Sequence, residues 1–156
     1  MPKVIHKQIH PLEDHEIPIF LKTIHGHEEE FLFIVALFTG MRHSELLGLQ
    51  WQDIDFRTHC IFISRQLQKS KEIGKGYTFV TPKNGKSRQI QPADIVFETL
   101  RRQHHKQSQE RMLAGCRWNN PNDLVFTNAF GGNLTHVTVS KHFKQIARTI
   151  NREDLR

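Results

Sequence analysis

Arg42 and Glu45 are the residues of this 156-residue chain whose types and spacing most directly suggest chemistry. The arginine follows a Thr39-Gly40 break at the end of an apolar run, and the carboxylate comes three residues later. On a helix such a pair shares a face, so Glu45 can hold the guanidinium in one orientation. A guanidinium held in that way is a fork for phosphate oxygens. The same spacing also describes an ordinary solvated ion pair, which contributes little to stability. Downstream, Arg65, Lys69, Lys71, Lys75, Lys83, Lys86 and Arg88 are opposed only by Glu72, seven positives less one negative. That surplus equals the formal charge of +6 on the whole chain. It suits a polyanion such as nucleic acid, and it also fits a solvated lysine-rich loop.

Other residues able to do chemistry show no such pattern. His104 and His105 are adjacent, which sets them about 100° apart on a helix, and His25 and His27 occupy an HGH turn, so no metal site is expected. Cys60 and Cys116 lack metal-ligand spacing and a secretory context, and read as reduced thiols of a cytoplasmic protein. No apolar run approaches the ~18 residues of a membrane span, and Met1 begins no signal peptide. Tyr77 is the one tyrosine and reads as a strand aromatic.

The elements that must position these residues follow from periodicity. The chain length fits a single domain, 1–156, with a real core. Residues 11–24 open with proline and acids and place Ile17, Phe20, Leu21 and Ile24 on one stripe, with Pro18 able to kink or shorten the helix. A second helix over 29–39 buries Phe31, Ile34, Val35 and Phe38, and Gly40 fits the left-handed position that closes it. A short third helix carries Arg42, Glu45, Leu46 and Leu49, leaving Arg42 partly buried beside a groove. Strands are expected at 60–64, 77–81 and 87–91, the last two flanking an Asn84-Gly85 turn that holds Lys83 and Lys86 near its tip. A long helix over 93–113 turns Val96, Phe97 and Leu100 inward and exposes its polar second half. Residues 114–123 form a loop. Thr135 can cap a last helix through Ile150, with Val139, Phe143, Ile146, Ala147 and Ile150 inward and Lys141, Lys144 and Arg148 on a basic outer face.

Three stretches, PLEDHE, TGMRHSELLGLQWQDIDF and TPKNGKSRQI, resemble the domain-opening helix, the first arginine box and the lysine hairpin of the tyrosine recombinases, the phage integrase family. The resemblance covers essentially the whole chain. It implies an α+β, mainly helical catalytic domain whose helices pack around a small three-stranded antiparallel sheet. By the same resemblance Arg42 is the first catalytic arginine, Glu45 its neighbouring acid and Lys83 the hairpin lysine, with Lys86 second in line for that role. Arg65, Lys69, Lys71, Lys75, Lys86, Arg88, Lys141 and Lys144 are then the DNA-contacting candidates.

The implied reaction cuts and rejoins double-stranded DNA. A tyrosine attacks a phosphodiester to form a phosphotyrosyl link, arginines neutralise the charge that builds on phosphorus-bound oxygens, and the lysine protonates the departing 5′ oxygen. No cofactor or metal is required. The family's His-x-x-Arg box and its tyrosine are expected beyond the final NREDLR, so the chain is expected to be part of a larger recombinase and inactive alone. The full-length protein is expected to self-associate on DNA, the isolated chain to be monomeric. A non-catalytic DNA-binding module of the same fold is the alternative.

Overall fold

The computed structural model describes residues 10–82 and 84–155, so Lys83 and the role expected of it lie outside the described residues. In chain order the elements are α1 (Ile17–Ile24), α2 (Glu30–Thr39), α3 (His43–Leu47), β1 (Ile54–Asp55), β2 (Cys60–Ile63), β3 (Gln66–Lys69), β4 (Tyr77–Val80), β5 (Arg88–Ile90), α4 (Asp94–Ala114) and α5 (His136–Thr149). This is the expected class, helices with small antiparallel sheets. Among the described residues no helix is long and apolar enough to cross a membrane.

The chain divides into two compact units, residues 1–30 with 137–156 and residues 31–136. In the first, α1 begins at Ile17 rather than near Pro11, because Pro18 then falls in the first turn, where its missing N–H costs nothing. Phe20 and Ile24 are buried, and the ring of Phe20 lies 6.4 Å from that of Phe143 on α5. After α5 the chain is tied back by Arg152, which pairs with Glu16 and Asp154 and donates to the carbonyl of His10 at 2.7 Å.

In the second unit α2 buries Leu32, Phe33, Ile34 and Val35, four consecutive residues, while Phe31 and Phe38 are only half-buried. A helix that is apolar all round is enclosed on several sides, so a single-stripe reading finds Ile34 and Val35 but misses Leu32 and Phe33. Gly40 adopts φ +63°, the expected left-handed closure. Beyond α3, Gly48 lies against β3. A Cβ there would meet the backbone nitrogen of Leu67 at 2.9 Å, so only glycine lets strand and helix end approach this closely.

The sheets correct one expectation. Residues 77–81 and 87–91 do not pair with each other. β5 joins β2 antiparallel, with Ile61 opposite Ile90, in a three-stranded sheet ordered β1-β2-β5. β4 instead pairs with β3, a strand the sequence reading left out, with Leu67 opposite Phe79. The turn itself forms: the Gly85 N–H donates to the Pro82 carbonyl at 2.7 Å, with Gly85 at φ +65°. The chain therefore passes from one sheet to another through it, and the hairpin loop proper is 70–76, closed by the Ser70 N–H on the Gly76 carbonyl at 2.9 Å.

A second correction concerns α4. Val96, Phe97 and Leu100 are buried as expected, but the polar half also buries Gln103 and Gln107. Residues 124–127 make only isolated bridges, so their carbonyls need side-chain donors. Gln103 donates to Val125 O at 2.7 Å and Gln107 to Leu124 O at 2.9 Å. Gln107 also accepts from the Trp51 indole at 2.8 Å. With the Val125 N–H on Leu49 O at 2.9 Å, this network clamps the segment that follows α3.

Candidate active site

The local sequence sets the geometry at Arg42. After the glycine break, Arg42 sits at the N-cap of α3 with φ −67° and ψ 148°, extended rather than helical. Glu45, at the third helical position, accepts the Arg42 backbone N–H at 2.9 Å, the reach-back half of a capping box. Its other oxygen accepts from Arg42 Nη1 at 3.1 Å. The three-residue spacing thus works through the cap and not through a shared helix face. The guanidinium is more open than expected, with 52% of the side chain exposed against 0% for Glu45.

Arg88, on β5, completes the cluster. Its Nη1 and Nη2 donate to Glu45 Oε1 and Oε2, both at 2.8 Å, a bidentate fork across 43 residues of sequence. One buried carboxylate therefore accepts four N–H groups, all that its lone pairs allow. Burial would raise the Glu45 pKa, but the hydrogen bonds from Arg88, from the Arg42 amide and from the Arg42 guanidinium outweigh it and bring it down to about 2. Arg88 is in turn raised by its bond to Glu45. Two guanidiniums on one carboxylate leave a net positive site, with Arg42 fixed at one edge and open to an anion.

A ring cluster flanks this site. The His43 and His136 rings lie 4.7 Å apart, and Tyr77 stacks on His136 at 5.8 Å with planes within 6°. Burial, then the neighbouring His136, lowers the His43 pKa to about 4. Its Nε2 is buried without a hydrogen-bond partner among the described residues. Tyr77 is therefore a packed strand aromatic, as read from the sequence.

Both shifts predict acid lability with the same sign. His43 binds its proton near 6.5 when unfolded and near 4 when folded, so the unfolded state takes up protons first and stability falls from pH 6.5 towards 4. The Glu45 contribution is present above its ordinary 4.5 and is lost from there down to about 2. Burial lowers the His136 pKa too, so denaturant unfolding measured across this range should show two stages of loss, and His43→Leu should shrink the upper stage while leaving the lower one in place.

The basic candidates separate by placement. Arg65 pairs with the buried Asp53 and Arg88 with the buried Glu45, so a carboxylate fixes each guanidinium, although Arg88 itself stays exposed. Lys69, Lys71, Lys75 and Lys86 are exposed, the first three on or beside the 70–76 loop, although Lys75 also pairs with Glu72. Lys141 and Lys144 are exposed on α5. The sequence reading placed Arg88 among the DNA-contacting residues and missed the clamp. The one available signal was an arginine opening a short strand straight after a basic turn. It also missed His43 and His136, though His43 directly follows Arg42.

The sequence pattern of the phage integrase family matches residues 10–156. A tyrosine recombinase XerC-like protein of Caldanaerobacter subterraneus subsp. tengcongensis is 28% identical over 151 residues, which cover 91% of this chain and 39% of that protein. Among solved structures, the Tn1549 transposon integrase in complex with circular intermediate DNA is 23% identical with a TM-score of 0.75, over 97% of this chain and 47% of that one. The XerH recombinase bound to difH substrate is 25% identical with a TM-score of 0.58, over 93% and 37%. The chain thus spans less than half the length of each of these relatives. An arginine box capped by its own glutamate, on a helical fold with small antiparallel sheets, agrees with the sequence match, and the chain belongs to the phage integrase family of tyrosine recombinases.

Proposed function

We propose that this chain is part of a site-specific DNA recombinase that cuts and rejoins DNA through a phosphotyrosyl intermediate, and that Arg42 grips the reacting phosphate. The carrying observation is the Glu45 carboxylate, which holds Arg42 and Arg88 together and leaves Arg42 half-exposed. A tyrosine oxygen, its phenolic proton given up to water, bonds to phosphorus, the bond to the 5′ oxygen breaks, and that oxygen takes a proton from Lys83 or, as second candidate, Lys86. Arg42 stabilises the charge that peaks between those two events. Tyr77 is packed in β4 against His136, which does not suit a nucleophile. The chain alone therefore forms no covalent link to a nicked suicide substrate; a phosphotyrosyl adduct with this chain would overturn that reading.

The exposed lysines favour DNA binding as a property of the isolated chain, as a non-catalytic module would also have. If Lys69, Lys71, Lys75, Lys86, Lys141 and Lys144 each neutralise one phosphate, affinity should fall about 10³-fold between roughly 50 and 200 mM salt. A flat salt dependence in a fluorescence-anisotropy titration would remove the DNA role assigned to them. The full-length recombinase is proposed to self-associate on its DNA, and the isolated chain to be a monomer, which sedimentation with and without DNA tests.

A further inference from the structure

We propose that Glu28, Glu29 and His142 form a binding site for a divalent transition-metal ion of the zinc class, with a structural role that clips α5 to the turn before α2. The sequence showed no such site because its ligands are 113 residues apart. All of these residues belong to the unit of residues 1–30 and 137–156. His142 Nδ1 lies 3.0 Å from Glu29 Oε2 and 3.6 Å from Glu28 Oε1, and one ligand atom from each residue falls within 4.8 Å of the others. Zinc with ligand bonds of ~2.0–2.1 Å needs neighbouring donors about 3.3 Å apart, so the observed separations bracket a tetrahedral edge.

Acids at a helix start are expected without any ion, since the amino end of α2 favours negative charge. That accounts for Glu28, Glu29 and Glu30 in a row. It does not account for an imidazole nitrogen brought from α5 onto two of those carboxylates, nor for the 6% exposure of Glu29. Mixed imidazole and carboxylate donors suit zinc, cobalt or manganese better than magnesium, which prefers oxygen and retained water. Three protein ligands leave a fourth position for water.

His27 positions the site without joining it. Its Nδ1 accepts the Glu29 N–H at 3.1 Å, so the ring proton sits on Nε2, which then has no lone pair for a metal. Its ring lies edge-on to His142 at 5.2 Å. Metal binding at His142 Nδ1 replaces the proton now shared with Glu29. A neutral ring moves that proton to Nε2, and a doubly protonated ring releases one.

The test uses the tag-free chain, stripped with chelator, with Zn²⁺ in calorimetry and thermal shift and Co²⁺ as the visible-absorption probe. The expected result is one equivalent bound, a raised Tm, and a cobalt band of low symmetry. His142→Asn keeps an N–H towards Glu29 but is a poor ligand. It and Glu29→Gln should weaken binding by about 100-fold or more, since loss of an outer-shell partner alone costs roughly 10–100-fold. His104→Asn with His105→Asn should leave binding unchanged. Absence of saturable binding at millimolar Zn²⁺ would show a hydrogen-bonded cluster only and overturn the proposal. Binding of equal strength in a folded His142→Asn variant, checked by circular dichroism, would overturn it equally.

Discussion

Replacing Arg42 by alanine in the full-length recombinase should lower covalent complex formation with a suicide substrate by at least about 10³-fold, the scale seen when an arginine is removed from a phosphoryl-transfer transition state. The fold should survive. Glu45 keeps its bidentate partner Arg88, at 2.8 Å on each oxygen, and the side chain lost is half in solvent. The Tm should therefore change little, and DNA affinity should fall far less than cleavage, because one phosphate contact among several is lost. Arg42→Lys separates charge from geometry. A lysine keeps the positive charge but cannot form the fork, so it should recover only a minor part of the rate. Cleavage by Arg42→Ala within tenfold of the unmodified enzyme would remove Arg42 from the reaction.

Glu45→Gln should act on stability first. It keeps the volume but takes away the carboxylate that Arg42 and Arg88 share, leaving both without that counter-charge. The cost is about 3 kcal/mol, towards the lower end of what breaking a buried pair costs, because both arginines can turn part of their surface to water. For a domain of this size that is roughly 6–12 °C in Tm. Arg88→Gln in the same background should restore part of the loss, since it removes one of the stranded charges, and the double-mutant cycle measures that coupling directly. A Tm within a degree of the starting value for Glu45→Gln would mean that the four hydrogen bonds on this carboxylate contribute nothing net. Activity should also fall in this variant, through the loosened orientation of Arg42.

The local features of the site were legible in the sequence because they depend on few residues. Arg42 and Glu45 three apart, Gly40 closing α2 and the Pro82 to Gly85 turn all follow from propensity and spacing, and each is present. What failed was pairing at a distance. The Asn84-Gly85 turn indicates strands on either side of it, at 77–80 and 88–90, but cannot say with what they pair. Their partners are set by Leu67 and Ile61, which are buried at positions remote in sequence. Polar residues inside α4 were misread for a related reason. Gln107 is buried because Trp51 and residues 124–127 need its amide, a requirement visible only once those segments lie beside it. Arg88 looked like another solvated cation for the same want of its partner.

The separation of 43 positions between Glu45 and Arg88 bears on how the site comes into being. Everything local to α3 can form early, but the carboxylate gains its second arginine only after β5 has zipped onto β2 and the long intervening loop has been closed. Closure of such a loop is paid for in chain entropy before any contact rewards it. A half-folded chain would therefore display the arginine box without its brace, so the grip on phosphate should switch on with the last cooperative step of folding and not with the first helix.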